Sequence, residues 1–300
     1  MTHIVTLIGA PGAGALDDTL MERVSACLPD PGPPRWLAAG EACEIAFQPD
    51  GGSDTAPLEK SIRDAAQPAP VDIAILPGAR RRCKLLVADM DSTIIQQECI
   101  DEIADFAGLK PRIAAITERA MRGELEFASA LRERVGLLAG LDEGVLAQVY
   151  EERVVLMPGA RTLVATMRAN GAFCALVSGG FTFFTARVAA AVGFDTHQAN
   201  SLEAADGQLT GRVGDPILGS QAKLAALHRH RDERHLEPHE TLAVGDGAND
   251  LPMIAEAGLG VAYHAKPVVA AKAKARIDHG DLTALLYLQG YAREDFVTGA

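Results

Sequence analysis

The sequence indicates an α/β protein, in which a doubly wound parallel sheet with a helical cap follows a smaller α+β unit. From Lys84 onward, short apolar runs alternate with amphipathic helical segments, as in a parallel sheet covered by helices on both faces. Two of these runs end in clusters of acidic residues. Residues 1–80 instead follow the order β-α-β-β-α-β.

Residues 1–80 form the N-terminal unit in this prediction. Apolar spacing predicts a strand at residues 4–8, a helix at 16–28, a hairpin at 35–47, a helix at 56–66 and a strand at 71–76. This order is that of a ferredoxin-like unit. Pro77-Gly78 and the basic run Arg80-Arg81-Arg82 form a polar junction, so we expect a second domain over residues 81–300.

The second domain is predicted to hold the parallel sheet. Strands are expected at residues 84–88, 173–177, 198–202, 241–244 and 259–263, with helices at 182–192 and 221–229. About eighty residues separate the first two strands, far more than a crossover needs. That interval has helical spacing at 99–106, 111–121, 127–138 and 142–152, so we expect a helical cap at about 96–157 over the edge of the sheet.

Composition excludes several classes of function. The chain has 300 residues and a net charge of -12, which argues against an unspecific nucleic-acid binder or a protein of anionic membranes. It shows no apolar run long enough to span a membrane and no basic segment typical of a signal peptide. The five cysteines have no paired spacing, so we expect free thiols in a cytoplasmic protein.

Carboxylates follow two of the predicted strands at the point where each strand ends. Asp89 and Asp91 come directly after the first strand of the second domain, and Asp246, Asn249 and Asp250 follow the fourth. The carboxyl ends of parallel strands meet at one edge of the sheet, where ligands bind. Carboxylates gathered there repel one another unless a hard cation neutralises them. The sequence therefore predicts a Mg²⁺ site.

The same edge has the groups that phosphoryl transfer requires. One carboxylate of the Asp89-x-Asp91 pair can attack phosphorus while the other protonates the leaving oxygen, provided that their pKa values differ. Ser178-Gly179-Gly180 follows a predicted strand and precedes a helix, so its backbone amides can approach an anion. Lys223, at the start of a predicted helix, can neutralise phosphate charge.

These four elements, in this order, resemble the motifs of the haloacid dehalogenase-like hydrolase superfamily. Residues 89–98 resemble its first motif, 177–181 the second, Lys223 the third and 244–250 the fourth. Glu98 and the cap segment 130–135 resemble more closely the phosphoserine phosphatase family. The resemblance covers roughly residues 84–290. Ala88 departs from it, because the family more often has a bulky aromatic residue there, and we expect local repacking without loss of chemistry.

The resemblance implies a role for each motif residue. Asp89 would be the nucleophile that forms an aspartyl-phosphate, and Asp91 the general acid and then the base that activates water. Mg²⁺ would be held by Asp89, the backbone carbonyl of Asp91, and Asp246. The phosphoryl group would be held by Ser178, Gly179 and Lys223, with Asn249 and Asp250 supporting the site.

The resemblance also implies a site for a phosphorylated amino acid. Glu98 would bind the substrate ammonium and Arg134 its carboxylate, since arginine binds a carboxylate through two parallel hydrogen bonds. Arg132, two residues away on another helix face, is an alternative to Arg134. Met121 and Phe127 would form either an apolar wall of the cap or part of an ordinary helix core.

Three functions remain open at this stage. The first is Mg²⁺-dependent hydrolysis of L-phosphoserine, the last step of serine biosynthesis. The second is a phosphotransferase that passes the phosphoryl group to another hydroxyl, such as that of homoserine. The third is an amino-acid sensor with an inert body, which the intact motif residues argue against. The N-terminal unit resembles an ACT-like domain, which implies amino-acid binding or a homodimer.

Overall fold

The N-terminal unit has the predicted β-α-β-β-α-β order. The computed structural model describes residues 2–49, 55–121 and 124–299. In this unit the elements are β1 (His3–Gly9), α1 (Asp18–Ser25), β2 (Arg35–Ala38), β3 (Ala42–Phe47), α2 (Ala56–Ala66) and β4 (Val71–Pro77). The strands form an antiparallel sheet in the order β2-β3-β1-β4. Helix α1 begins later than predicted because the Asp17 side chain accepts a hydrogen bond from the Leu20 N–H and caps it.

This sheet is buried on both faces. Val5 and Leu7 of β1 pack in a core with α1 and α2, whereas Ile8 on the opposite face belongs to the core of the second domain. The alternation follows from the two-residue period of a strand. The two units therefore share one continuous apolar contact, although the sequence predicts a boundary between them near residue 80.

The second domain contains a six-stranded parallel sheet, in the order β12-β11-β10-β5-β6-β7. Its strands are β5 (Leu85–Ala88), β6 (Phe173–Phe181), β7 (Thr196–Asn200), β10 (Thr241–Gly245), β11 (Leu259–Tyr263) and β12 (Ala275–Ile277). The helices around it are α7 (Ala160–Ala169), α8 (Thr182–Val192), α9 (Ser220–Glu233), α10 (Leu251–Glu256), α11 (Pro267–Ala270) and α12 (Ala284–Leu288). Strands β5 and β10 are neighbours, so the two acidic clusters emerge side by side.

The cap consists of four helices inserted after β5. They are α3 (Cys99–Phe106), α4 (Lys110–Met121), α5 (Phe127–Gly136) and α6 (Val145–Arg153). A hairpin of β8 (Leu202–Ala205) and β9 (Gln208–Val213) packs against α5. The sequence did not predict this hairpin, and the strand predicted at 198–202 is wrong in its bounds. Polar residues dominate this stretch, so its apolar periodicity is weak.

Buried carboxylates of the N-terminal unit contact the second domain. Asp72 on β4 accepts hydrogen bonds from the backbone N–H groups of Asp278, His279 and Gly280, with the shortest at 2.7 Å. Glu41 accepts one from the Tyr287 hydroxyl at 2.8 Å. Buried polar groups need such partners, so these contacts fix how the two units pack. No helix in the described part of the chain is long and apolar enough to cross a membrane.

Candidate active site

Three carboxylates converge where β5 and β10 end. Asp89 follows β5, Asp246 follows β10, and Asp250 begins α10. One oxygen from each lies within 4.8 Å of the others. The Lys223 ammonium of α9 is 2.6 Å from an oxygen of Asp89 and 2.6 Å from one of Asp250. The structure thus brings together four residues from distant points in the sequence.

The charges of this cluster do not balance. Burial alone would lower the pKa of Lys223, but its two carboxylate partners outweigh that effect and raise it, so the lysine stays charged. Burial raises the pKa of Asp89, and repulsion from Asp250 adds to the shift, while Lys223 opposes it. Three carboxylates lie near two described cations, Lys223 between Asp89 and Asp250 and Lys266 near Asp246. A divalent cation would offset the excess negative charge, and an all-oxygen donor set fits Mg²⁺.

Asp91 is held by the cap and by β6. Its Oδ1 accepts a hydrogen bond from the Cys99 backbone N–H at 2.8 Å, and its Oδ2 accepts one from the Ser178 hydroxyl at 3.0 Å. The Gly180 N–H donates to the same hydroxyl oxygen at 2.8 Å. A Cβ atom on Gly180 would lie 2.8 Å from Asp91 Oδ2. These contacts to both oxygens hold the Asp91 carboxyl group in one orientation.

The two aspartates of the first motif differ in their surroundings. Burial raises the pKa of Asp91, against the opposing hydrogen bonds from Cys99 and Ser178. A raised pKa favours the protonated form that a general acid requires, but the pKa of Asp89 is raised as well, so the direction of the shift does not by itself separate the two roles. Among the described residues, Asp89 is the member of the pair that forms an ion pair with Lys223. This contact favours the ionised form that a nucleophile requires.

One cavity of about 350 Å³ extends from these carboxylates to the cap. Its phosphate end is lined by Asp89, Asp91, Ser178, Gly179, Gly180, Phe181, Asp246, Gly247, Asn249 and Lys266. Its cap end is lined by Glu98, Ile100, Asp101, Thr117, Phe127, Leu131 and Arg134. We keep these two names below. The cavity joins all the predicted site residues except Lys223 and Asp250, which pair with each other, and Lys223 also pairs with Asp89 in the cavity lining.

Glu98 and Arg134 give the cap end opposite charges. Glu98 accepts a hydrogen bond from the Ser92 hydroxyl at 2.7 Å. Partial desolvation in the cavity and the nearby Asp91 carboxylate raise the pKa of Glu98 to about 7, although this side chain keeps contact with solvent. Burial lowers the pKa of Arg134, whose Nε donates to the Ala130 carbonyl at 3.3 Å. Both groups would be better ionised beside a ligand of opposite charge.

Arg132, the alternative carboxylate ligand, lies outside the cavity. Its guanidinium is 2.8 Å from Asp215, and both side chains are exposed. Phe127 of the cap packs closely against Gly179 and Gly219. A Cβ atom added to either glycine would lie 3.2 or 3.3 Å from the Phe127 ring. The side chain of Met121 lies outside the described residues.

Sequence reasoning missed several residues of this site. Thr93 donates to Asp246 at 3.3 Å, and Lys266 approaches the same aspartate from the loop after β11. Asp101 and Thr117 line the cap end. Thr93 belongs to the first motif and could have been named from it. The others lie on helices or loops whose orientation the sequence does not reveal.

Comparison with known proteins places these features in a family. A family model described as haloacid dehalogenase-like hydrolase matches residues 86–255. A phosphoserine phosphatase from Polaromonas is 48% identical over 210 residues, which cover 68% of this chain and 89% of that protein. One from Streptomyces coelicolor is 44% identical over 246 residues, 81% of this chain. The chain spans only 60% of the length of that second relative.

A solved structure resembles the whole described fold. It is a HAD family hydrolase from Salmonella enterica serovar Typhi, with a TM-score of 0.85 and 30% sequence identity. The likeness covers 96% of this chain and 98% of that one, so it includes the N-terminal unit as well as the sheet with its cap.

Proposed function

This chain belongs to the haloacid dehalogenase-like hydrolase family, and we propose that it is a Mg²⁺-dependent phosphatase that hydrolyses L-phosphoserine to L-serine and phosphate. The observation that carries the proposal is a single cavity with a phosphate-transfer site at one end and Glu98 and Arg134 at the other. The phosphoserine phosphatases similar to this chain support the same substrate.

The first half of the reaction transfers the phosphoryl group to Asp89. A carboxylate oxygen of Asp89 attacks phosphorus, an acyl-phosphate bond forms and the ester P–O bond breaks. Asp91 gives its proton to the serine oxygen as it leaves. The Lys223 ammonium, 2.6 Å from Asp89, holds the nucleophile in place and offsets the charge of the phosphoryl group.

The second half returns the enzyme to its starting state. Asp91, now ionised, takes a proton from a water molecule whose oxygen attacks phosphorus, and the bond to Asp89 breaks to release phosphate. Hydrogen bonds from Cys99 and Ser178 keep Asp91 aimed at the reacting oxygen through both halves. Asp89, Asp246 and the backbone carbonyl of Asp91 would hold Mg²⁺, whose charge would offset that of the transferring phosphoryl group.

The cap end fits the amino-acid part of the substrate. A zwitterionic amino acid presents one cation and one anion on a single carbon atom. Glu98 would bind the ammonium and Arg134 the carboxylate, and each charge would then gain an ion-pair partner, which neither has among the described residues. Phe127, Ile100 and Leu131 supply apolar walls that exclude water from these ion pairs.

The cellular part of the proposal is the last step of serine biosynthesis in the cytoplasm. All five cysteines are free, as expected in a reducing compartment. We further propose residues 1–80 as an ACT-like regulatory or dimerisation domain. Light scattering of the full chain with and without L-serine tests this part.

Phosphate release tests the enzymatic proposal. L-phosphoserine, L-phosphothreonine and sugar phosphates are compared at equal concentration, with Mg²⁺ and with excess EDTA. We expect a marked preference for L-phosphoserine and loss of activity in EDTA that added Mg²⁺ restores. Equal turnover of a sugar phosphate, or full activity in EDTA, would contradict the proposal. Adding homoserine tests the alternative, since a phosphotransferase would form phosphohomoserine instead of free phosphate.

A further inference from the structure

One buried hydroxyl in the cap end lacks a hydrogen-bond partner. The side-chain oxygen of Thr117, on α4, is shielded from solvent, and no described residue bonds to it. A threonine within a helix commonly satisfies its hydroxyl by donating to the carbonyl four residues earlier. Thr117 does not bond to the Ile113 carbonyl or to any other described group. A native protein rarely leaves such a group unsatisfied without a reason.

The position of Thr117 suggests that a ligand completes this bond. Four buried side-chain atoms of the described residues lack a hydrogen-bond partner, and two of them, in His228 and Arg276, still form ion pairs. Of the four, only the Thr117 oxygen belongs to a residue that lines the active-site cavity. Helices α3 and α5 both pack against α4, and they contribute Asp101 and Arg134 to the lining of the same cavity. A hydroxyl can donate one hydrogen bond and accept others, so the chemistry of its neighbours decides which ligand group it serves.

A count of donors and acceptors separates the two substrate groups. An ammonium has three N–H donors, and the cap end already offers it two carboxylates, Glu98 and Asp101. A carboxylate accepts about four hydrogen bonds, and Arg134 is the one cation among the described residues that line this end. The Nε of that arginine already donates to the Ala130 carbonyl. A guanidinium that binds a carboxylate through two parallel hydrogen bonds leaves about two of its acceptor sites for another donor.

We propose that Thr117 is a specificity-determining residue whose hydroxyl donates a hydrogen bond to the substrate carboxylate beside Arg134. The inference rests on the proposed function, because it assumes that the substrate is a phosphorylated amino acid. Thr117 on α4 would add a neutral hydrogen-bond donor to the ion pair that Arg134 on α5 makes. Two cap helices would then bind the same carboxylate.

Two variants of Thr117 and two substrates test the inference. Thr117→Val keeps the shape and removes the hydroxyl, while Thr117→Ser keeps the hydroxyl and removes the methyl group. Phosphoethanolamine has the phosphate and ammonium of phosphoserine but no carboxylate. We expect Thr117→Val to raise KM for L-phosphoserine about tenfold, the effect of losing one hydrogen bond to a charged group. KM for phosphoethanolamine should stay within about twofold, and Thr117→Ser should resemble the wild type with both substrates.

Each other outcome overturns the inference. Unchanged KM for L-phosphoserine in Thr117→Val would show that the hydroxyl is not used. Equal losses with both substrates, or an equal loss in Thr117→Ser, would show that the side chain only packs. Circular dichroism confirms that each variant is folded, and Thr117→Ala replaces the valine variant if that one is not. A wild type without preference for phosphoserine over phosphoethanolamine would instead refute the proposed function, before any variant is compared.

Discussion

The phosphate end and the cap end of the cavity differ in how completely their polar groups are bonded. At the phosphate end, Lys223 bridges two carboxylates, and both oxygens of Asp91 accept hydrogen bonds. At the cap end, Arg134 makes one long hydrogen bond through Nε, and the Thr117 hydroxyl has no described partner. One end is organised before substrate arrives, and the other is left for substrate to complete.

The difference follows from the elements that carry each end. The phosphate end stands on adjacent parallel strands and the helices that follow them, which a large buried core holds in place. The cap end stands on inserted helices, whose apolar faces join the same core while Glu98, Thr117 and Arg134 line the cavity. Preorganised charge serves the chemistry, whereas unsatisfied groups on a separate insertion serve recognition. Chemistry and specificity should therefore respond separately to substitution.

Removing the nucleophile should have the largest effect. Asp89→Asn keeps the shape of the side chain but removes the attacking charge, so kcat should fall roughly a thousandfold or more with every phosphate ester. The control is Asp206→Asn, in the exposed turn between β8 and β9, where asparagine tolerates the positive φ. Near-normal turnover by pure Asp89→Asn would overturn the assignment of the nucleophile.

A methyl group beside Asp91 should have the next largest effect. The Cβ of Gly180→Ala would lie 2.8 Å from Asp91 Oδ2 and 3.0 Å from Ser178 Oγ, so one of them must move. A displaced general acid lowers kcat by roughly a hundredfold, again with every substrate. Gly136→Ala provides the matched control, because its Cβ would meet no heavy atom within 4 Å. A Gly180→Ala enzyme with normal kcat would show that Asp91 is not held as we describe.

Substitution at the cap end should change specificity and spare the chemistry. Arg134→Ala should raise KM for L-phosphoserine about ten- to a hundredfold, the effect of losing a charged partner of the carboxylate. Turnover of an aryl phosphate should change little, because that substrate has no carboxylate. Arg132→Ala should leave both reactions unchanged, since Arg132 pairs with Asp215 outside the cavity. Equal losses with both substrates in Arg134→Ala would make this arginine structural.

A residue outside both ends should show the smallest effect on activity. Asp72→Ala leaves three backbone N–H groups of the second domain without their acceptor. The loss should cost about 1.5–3 kcal/mol of stability and lower Tm by roughly 3–10 °C, with kcat at 25 °C nearly unchanged. The control is Asp64→Ala, which removes an exposed ion pair with Lys60 and should leave Tm unchanged. An unchanged Tm in Asp72→Ala would mean that the two units do not depend on this contact.

The sequence predicted the phosphate end far better than the cap end. Asp89 and Asp246 could be placed together because each follows a strand, and the ends of parallel strands share one edge. Helix bounds such as Cys99–Phe106 were predicted correctly from apolar spacing. The same spacing could not tell which face of α4 meets the cavity, so Thr117 was missed. The choice between Arg132 and Arg134 likewise needed the rotation of α5.

The N-terminal unit shows a second limit of sequence reasoning. The order of its strands and helices along the chain was predicted correctly, since alternation and turn residues are local signals. Its packing against the second domain was not predicted, because Asp72 contacts residues more than two hundred positions away. Contacts between residues so distant in sequence produce no periodic pattern of residue types.

Recognition of a carboxylate by the cap end can be tested directly with the wild-type enzyme. L-phosphoserine and phosphoethanolamine differ only in that group, and both present the same ester to Asp89. With saturating Mg²⁺, we expect kcat/KM to be at least about tenfold higher for L-phosphoserine, with the difference in KM and similar kcat. Equal kcat/KM for the two substrates would contradict the account, because Arg134 would then have no carboxylate to bind.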